Sequence, residues 1–169
     1  LFNTLTGSNQ KVGNWPGVTI ERKEGTIIDT NIEIIDLPGV YSLSPYSSEE
    51  EISRQFVMEE KPDLIINIID ATSLERSLYL TTQLLELDID VVIALNMADV
   101  LEKSGITVDV EKLSKRLNTT IVSISAKKNL GIKQLISVVK SGEYKKNHQD
   151  YIYDEEIENV ISNIARLIS

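Results

Sequence analysis

Four short apolar runs, rich in isoleucine and valine and each followed by polar residues, are the clearest pattern along the chain. Such runs are typical of strands buried on both faces, because a strand of this kind has no polar side to expose. The pattern predicts strands at residues 32–36, 64–70, 90–96 and 120–125. Apolar residues at helical spacing predict helices at residues 48–60, 74–87, 110–117 and 132–140.

The order of these elements indicates the fold class. Strand and helix alternate, which favours right-handed crossovers and a parallel sheet covered by helices on both faces. The segment "GTIIDTNIEIID" differs, because two extended runs flank Thr30 and Asn31, a pattern typical of a hairpin. We therefore predict an α/β domain with a doubly wound, mostly parallel sheet and one antiparallel edge strand.

The composition changes near the C-terminal end of the chain. After Gly142 the residues become polar, and His148 is predicted to be a solvated residue of this linker. Apolar residues then return at helical spacing over residues 157–167. We predict one domain at residues 1–142, followed at residues 143–169 by a linker and the first helix of a helical module.

Charge and composition exclude several classes of function. The chain has 17 basic and 26 acidic residues, and its net charge of -9 repels phosphate backbones, so a nucleic-acid partner is not expected. The absence of cysteine excludes disulfides and thiolate metal sites. No apolar run approaches the roughly 20 residues of a membrane span.

The residues that follow each predicted strand carry the candidate chemistry, since ligands of such sheets bind beyond the carboxyl ends of the strands. "NMAD" follows the third run. The Asp99 carboxylate can accept hydrogen bonds from a ring N–H and an exocyclic amino group, a pair that guanine offers and adenine does not. Asn96 can tie the base to neighbouring loops, and Met97, followed by Ala98, can lie along the ring. The same four residues also fit an ordinary loop.

Two other strand ends complete the pattern. "DLPG" follows the first run, where Asp36 suits a Mg²⁺ held through water and the Gly39 amide can approach a phosphate; Leu37 and Pro38 lie between them. "SAK" follows the fourth run and comprises Ser125, Ala126 and Lys127, of which Ala126 offers an N–H to a guanine carbonyl. Each motif alone is weak, but chance seldom places all three in this order.

These motifs resemble those of P-loop GTPases, and longer stretches narrow the resemblance. "GSNQKVGNWPGVTIERKEG", "DLPGVYSLSPYSSEE" and "DATSLERSLYLTTQLLEL" are similar to the cytosolic G domain of the ferrous iron transport protein B family, over nearly all of residues 1–142. The resemblance implies that the chain binds GTP and GDP, and that "WPGVT" is the first switch loop. That loop comprises Trp15, Pro16, Gly17, Val18 and Thr19.

The resemblance also implies cofactors, partners and location. Thr19 would reach Mg²⁺ and the γ-phosphate, and slow hydrolysis would use K⁺. The partners would be the protein's own helical and transmembrane domains and small cytosolic accessory proteins of iron transport. The domain would lie at the cytoplasmic face of the bacterial cell membrane as part of a multi-pass protein, and would itself be soluble. From the residues alone, Trp15 and Gly17 are equally consistent with a simple loop anchor and turn.

The pattern G-x-x-x-x-G-K-[S/T], which binds phosphates in P-loop proteins, does not occur in the 169 residues. Leu1, Phe2 and Leu5 have helical spacing without a preceding cap, and in P-loop proteins that loop leads directly into the first helix. We therefore expect the first strand and phosphate loop upstream of Leu1. Val40 stands where many GTPases carry a glutamine that orients water, so no catalytic residue is assigned.

Two alternatives to an iron-transport GTPase stay open at this point. A ribosome-assembly type GTPase shares the strand-end motifs, but it would need a basic face for RNA. A degenerate GTPase-like interaction module that no longer hydrolyses nucleotide also fits a chain without the phosphate-binding pattern.

Overall fold

A computed structural model describes residues 1–44, 46–103 and 105–147, without the side chains of Ala98 and Glu102. Its strands are β1 (Gln10–Asn14), β2 (Glu21–Thr26), β3 (Glu33–Asp36), β4 (Leu64–Asp70), β5 (Asp90–Asn96) and β6 (Thr120–Ile124). Its α-helices are α1 (Phe2–Thr6), α2 (Ser48–Glu60), α3 (Leu74–Leu85), α4 (Ala98–Lys103), α5 (Val110–Leu117) and α6 (Ile132–Ser141), and a 3₁₀ turn spans Ala71–Ser73. The predicted helix at 157–167 and His148 lie outside the described residues.

The strands form two three-stranded sheets. Strands β4, β5 and β6 pair in parallel, and β1, β2 and β3 pair antiparallel. The predicted α/β class and the predicted hairpin between β2 and β3 are confirmed, but the antiparallel part has three strands instead of one edge strand. Sequence patterning missed β1 because all five of its residues are exposed and give no apolar alternation.

The helices agree with the predicted ones except at their ends. Helix α2 begins as predicted, because the Ser47 side chain caps it by accepting a hydrogen bond from the Glu50 N–H at 3.2 Å. Helix α3 ends at Leu85, two residues early, and α6 continues to Ser141. The short helix α4 was not predicted, since six residues are too few to show a helical apolar face.

Strand β5 is the centre of the core. Its residues alternate between two apolar clusters: Val92 and Ala94 belong to the cluster with Leu5 and Leu135, whereas the cluster on the other face contains Val91, Ile93, Leu95 and Leu84. All five residues from 91 to 95 are fully buried. Helices α1 and α6 therefore cover one face of the parallel sheet and α3 covers the other, which holds the carboxyl end of β5 in a fixed position.

The chain after α6 returns to the start of β5. The Asn147 side-chain amide donates to the carbonyls of Leu85 at 3.0 Å, Leu87 at 2.9 Å and Ile89 at 3.0 Å, and the Asn147 backbone N–H donates to Asp90 at 2.9 Å. The start of the predicted linker is thus fastened to the end of the sheet opposite the strand-end motifs. Over the described ranges, no helix is long and apolar enough to cross a membrane.

Candidate functional site

The carboxyl ends of the parallel strands lie side by side. Asp70 pairs in register with Asn96, and Asn96 pairs with Ile124. The loops that follow β5 and β6 therefore leave the sheet at the same edge, and this brings "NMAD" next to "SAK". Asp70 itself is engaged in a turn, since its carboxylate accepts hydrogen bonds from the N–H and the hydroxyl of Thr72 at 2.8 and 2.7 Å.

The loop after β5 turns sharply at Met97. This residue has a φ of 64°, a left-handed conformation that is uncommon for a side chain of its size. The Val100 N–H donates to the Met97 carbonyl at 2.9 Å, which starts α4. Met97 is exposed, and Asp99 lies in the first turn of α4. Backbone strain of this kind clusters at functional sites, and here it directly precedes the helix that carries the candidate base-binding carboxylate.

The loop after β6 is closed on itself. Ser125 and Leu130 exchange two backbone hydrogen bonds of 3.0 and 3.2 Å, and Gly131 follows with a φ of 72°. A Cβ atom at Gly131 would lie 2.1 Å from the Ser123 carbonyl oxygen, so no other residue fits without moving the backbone. The closure fixes the direction of residues 126–129.

One hydrogen bond joins the two loops. The Ala126 N–H donates to the Asn96 side-chain oxygen at 3.1 Å. The Asn96 side chain therefore joins the two loops, and it engages the Ala126 N–H that is predicted from the sequence to meet a guanine carbonyl. It also brings Ala126, together with Ser125 and Lys127, beside the "NMAD" loop.

An ion pair crosses the same gap. The Lys128 ammonium group contacts the Asp99 carboxylate, and their side chains are 45% and 21% exposed. Lys128 holds the pKa of Asp99 below its ordinary value, with smaller contributions from Ser125 and Lys103. Sequence reasoning missed Lys128, because only the closed loop shows which of the two adjacent lysines reaches Asp99.

The "WPGVT" segment forms the tip of the β1–β2 hairpin. The Trp15 N–H donates to the Ile20 carbonyl at 2.9 Å, and Gly17 has a φ of 77°. The Trp15 ring is buried and lies edge-on to Phe56 of α2, with a centroid distance of 5.6 Å, under the Arg22 guanidinium group. Val18 is half-buried, whereas Pro16, Gly17 and Thr19 are exposed. Trp15 is thus an anchor that connects the candidate first switch to α2.

The "DLPG" segment follows β3 and is held from one side. The Pro38 carbonyl accepts a hydrogen bond from the Ser53 hydroxyl of α2 at 3.2 Å. Leu37 and Pro38 are half-buried, whereas Asp36 and Gly39 are exposed. A Cβ built on Gly39 meets no atom within 4 Å, so the space on the side-chain side of Gly39 is empty.

The two candidate Mg²⁺ ligands lie apart along the antiparallel sheet. Asp36 is opposite Lys23 in the β2–β3 pairing, whereas Thr19 precedes β2 in the hairpin tip. The part of the chain that the structure describes contains no group of three His, Cys, Asp or Glu side chains arranged so that they could hold a metal ion. One carboxylate and one hydroxyl nevertheless suit Mg²⁺, which keeps several waters and takes phosphate oxygens as further ligands.

Comparison with known sequences identifies relatives of the whole chain. Residues 1–139 match the profile of the family "Ferrous iron transport protein B". The Fe(2+) transporter FeoB of Staphylococcus aureus (strain MSSA476) is 43% identical over 169 residues, which cover 99% of this chain and 26% of that protein. Its counterpart from Legionella pneumophila (strain Paris) is 52% identical over 141 residues, 80% of this chain and 19% of that protein. The chain therefore spans about a quarter or less of these relatives.

Solved structures of proteins from the same family are similar to the structure of this chain. A GDP-bound point mutant of S. thermophilus NFeoB superimposes with a TM-score of 0.85 at 46% identity, covering 99% of this chain and 66% of that one. The cytosolic domain of L. pneumophila FeoB gives a TM-score of 0.84 at 44% identity, covering 99% and 68%. The mixed α/β fold of the chain is the fold of these domains.

Proposed function

The chain belongs to the ferrous iron transport protein B family, and from that membership we propose that it binds GTP and GDP, hydrolyses GTP and serves as the nucleotide-dependent switch of a bacterial Fe²⁺ transporter. Membership is shown by the family match over residues 1–139 and by relatives up to 52% identical. The activity is proposed separately from membership, because the chain covers only part of the length of those relatives.

The hydrogen bond between Ala126 and Asn96 carries the proposal. It joins the two loops and places the "SAK" loop next to the segment that carries the Asp99 carboxylate. A carboxylate that accepts from two adjacent N–H groups of a planar base selects guanine, because adenine presents an acceptor where guanine presents a donor. The exposed Met97 side chain is available to cover the ring.

The residues proposed to contact the phosphates, Thr19, Asp36 and Gly39, support a role as a nucleotide-dependent switch. The exposed Gly39 has no side chain to keep a phosphate from its amide, and Asp36 and Thr19 would hold Mg²⁺ when the hairpin tip moves toward Asp36. Bound Mg²⁺ supplies charge neutralisation on the phosphate oxygens. Trp15 contacts Phe56, and Pro38 accepts from Ser53, so both candidate switches are attached to α2. A change in either segment is thereby passed to the same helix.

Hydrolysis without a catalytic side chain completes the proposal. Val40 has no polar group to orient water, so the reaction relies on positioning and on cations, and we propose a slow, K⁺-assisted GTPase. The wider role extends this proposal: nucleotide state is transmitted to the protein's helical and transmembrane domains and to small accessory proteins, at the cytoplasmic face of the cell membrane. The net charge of -9 disfavours the alternative RNA-binding role.

A binding and turnover assay on the native full-length protein tests the proposal. Labelled GDP is bound in the presence of increasing unlabelled GTP or ATP, and phosphate release from GTP is measured in K⁺ and in Na⁺. We expect GTP to compete and ATP to fail, with slow release that is faster in K⁺. Equal competition by ATP would refute the guanine site, and binding without phosphate release would favour the degenerate module.

A further inference from the structure

The Asp99 carboxylate is already engaged by a cation. Lys128 pairs with the same carboxylate that the proposed function assigns to the guanine N–H groups. We propose that Lys128 is a displaceable counter-ion of the base site, which guanine must replace at Asp99 in order to bind. This inference rests on the proposed function, and it assigns to Lys128 a role in setting nucleotide affinity and association rate.

The backbone of the loop explains why Lys128 reaches Asp99. The Lys128 N–H donates to the Ser125 carbonyl at 3.1 Å within the loop that Ser125 and Leu130 close. Gly131 holds the end of this loop against β6. The loop closure therefore fixes the position of the main chain at residue 128 beside α4. Only the side chain, which is nearly half exposed, is free to swing away.

The exchange increases the number of hydrogen bonds that Asp99 accepts. When guanine binds, Asp99 loses one charge-assisted contact to Lys128 and gains two contacts from the base. The ammonium group returns to water, where it is well solvated, so release carries little penalty. Exposed ion pairs are worth little, and removing Lys128 should therefore tighten GDP binding about two- to fivefold.

The exchange also makes a prediction about salt. An exposed pair weakens as ionic strength rises, since the Debye length falls to about 3 Å at 1 M salt. The advantage of the variant without Lys128 should therefore shrink at high salt. A lysine that merely attracts nucleotide phosphates would give the opposite result, because its removal would weaken binding at low salt.

Stopped-flow and equilibrium binding of fluorescent GDP to the full-length protein test this inference, using Lys128→Ala, Lys128→Arg and Lys133→Ala. Lys133 is an exposed lysine in the first turn of α6, and its removal matches the change in charge. We expect Lys128→Ala to associate faster and bind about two- to fivefold tighter at low salt, with convergence at 1 M. Lys128→Arg and Lys133→Ala should behave like the unmodified protein.

The ion pair itself is tested without nucleotide. In an NMR titration of the full-length protein, the pKa of Asp99 should rise in Lys128→Ala and stay low in Lys133→Ala. An unchanged Asp99 pKa would overturn the inference but leave the proposed function intact. So would GDP binding by Lys128→Ala at low salt that is weaker than, or equal to, that of Lys133→Ala. Failure of the unmodified full-length protein to bind GDP would overturn the proposed function and, with it, the inference.

Discussion

Replacing Trp15 tests whether the candidate first switch is packed against α2. Trp15 is the sole tryptophan of the chain and is 6% exposed. A buried tryptophan removes about 150–250 Å² from water, worth about 4–6 kcal/mol at about 25 cal/mol per Å². Its indole N–H meets no acceptor in the described part of the chain, which offsets about 1–3 kcal/mol of that gain.

These values predict that Trp15→Ala lowers the free energy of unfolding by about 3 kcal/mol. Trp15→Phe keeps an aromatic ring against Phe56 and removes the unpartnered N–H, so it should cost less than about 1.5 kcal/mol. Urea unfolding followed by far-UV circular dichroism measures both, because the signal does not depend on tryptophan. The reasoning is refuted if the two variants lose equal stability, or if Trp15→Ala loses less than about 1 kcal/mol.

Two further substitutions test the scaffold around the site by thermal and urea unfolding. Gly131→Ala should lower the free energy of unfolding by about 2–5 kcal/mol, because it combines a left-handed φ with a Cβ in contact with the Ser123 carbonyl. Gly142→Ala has open space around its Cβ and should lower it by only about 1–2 kcal/mol. Equal losses of stability in the two variants would contradict the clash. Asn147→Ala removes an amide that donates to three carbonyls and should cost about 1–3 kcal/mol, with faster hydrogen exchange at the start of β5. Unchanged exchange would show that this segment is not fastened there.

The sequence predicts best where burial acts on both faces of an element. Strands β4 and β5 begin and end at the predicted residues, because a continuous apolar run has clear polar limits. Strand β1 could not be found in this way, since it is held by pairing with β2 and exposes every residue. Hydrogen bonding between the backbones of two strands requires no pattern of apolar side chains, so such a pattern cannot reveal it.

Some parts of the candidate site could be predicted from the sequence, whereas others depend on tertiary contacts. Strand ends located "NMAD" and "SAK", and the structure brings them together through Asn96 and Ala126. The contact between Lys128 and Asp99 depends on how one loop closes, and the packing of Trp15 on Phe56 joins residues 41 positions apart. Neither contact follows from spacing along the chain.

The central claim is that Asp99 reads guanine, and exchanging its hydrogen-bonding pattern tests that claim directly. In Asp99→Asn, the side-chain amide donates where the carboxylate accepted, which suits xanthine, whose carbonyl replaces the amino group of guanine. Asp63→Asn is the matched control, since Asp63 is exposed and precedes β4 at the opposite end of the sheet.

The decisive measurement is the ratio of the dissociation constants for GDP and xanthosine diphosphate in the full-length protein and both variants. We predict that Asp99→Asn reverses the preference, losing about tenfold or more in GDP affinity and gaining xanthosine diphosphate, as expected when about 1–3 kcal/mol is lost from an unsatisfied base contact. Asp63→Asn should keep the preference for GDP. An unchanged ratio in Asp99→Asn would contradict the account.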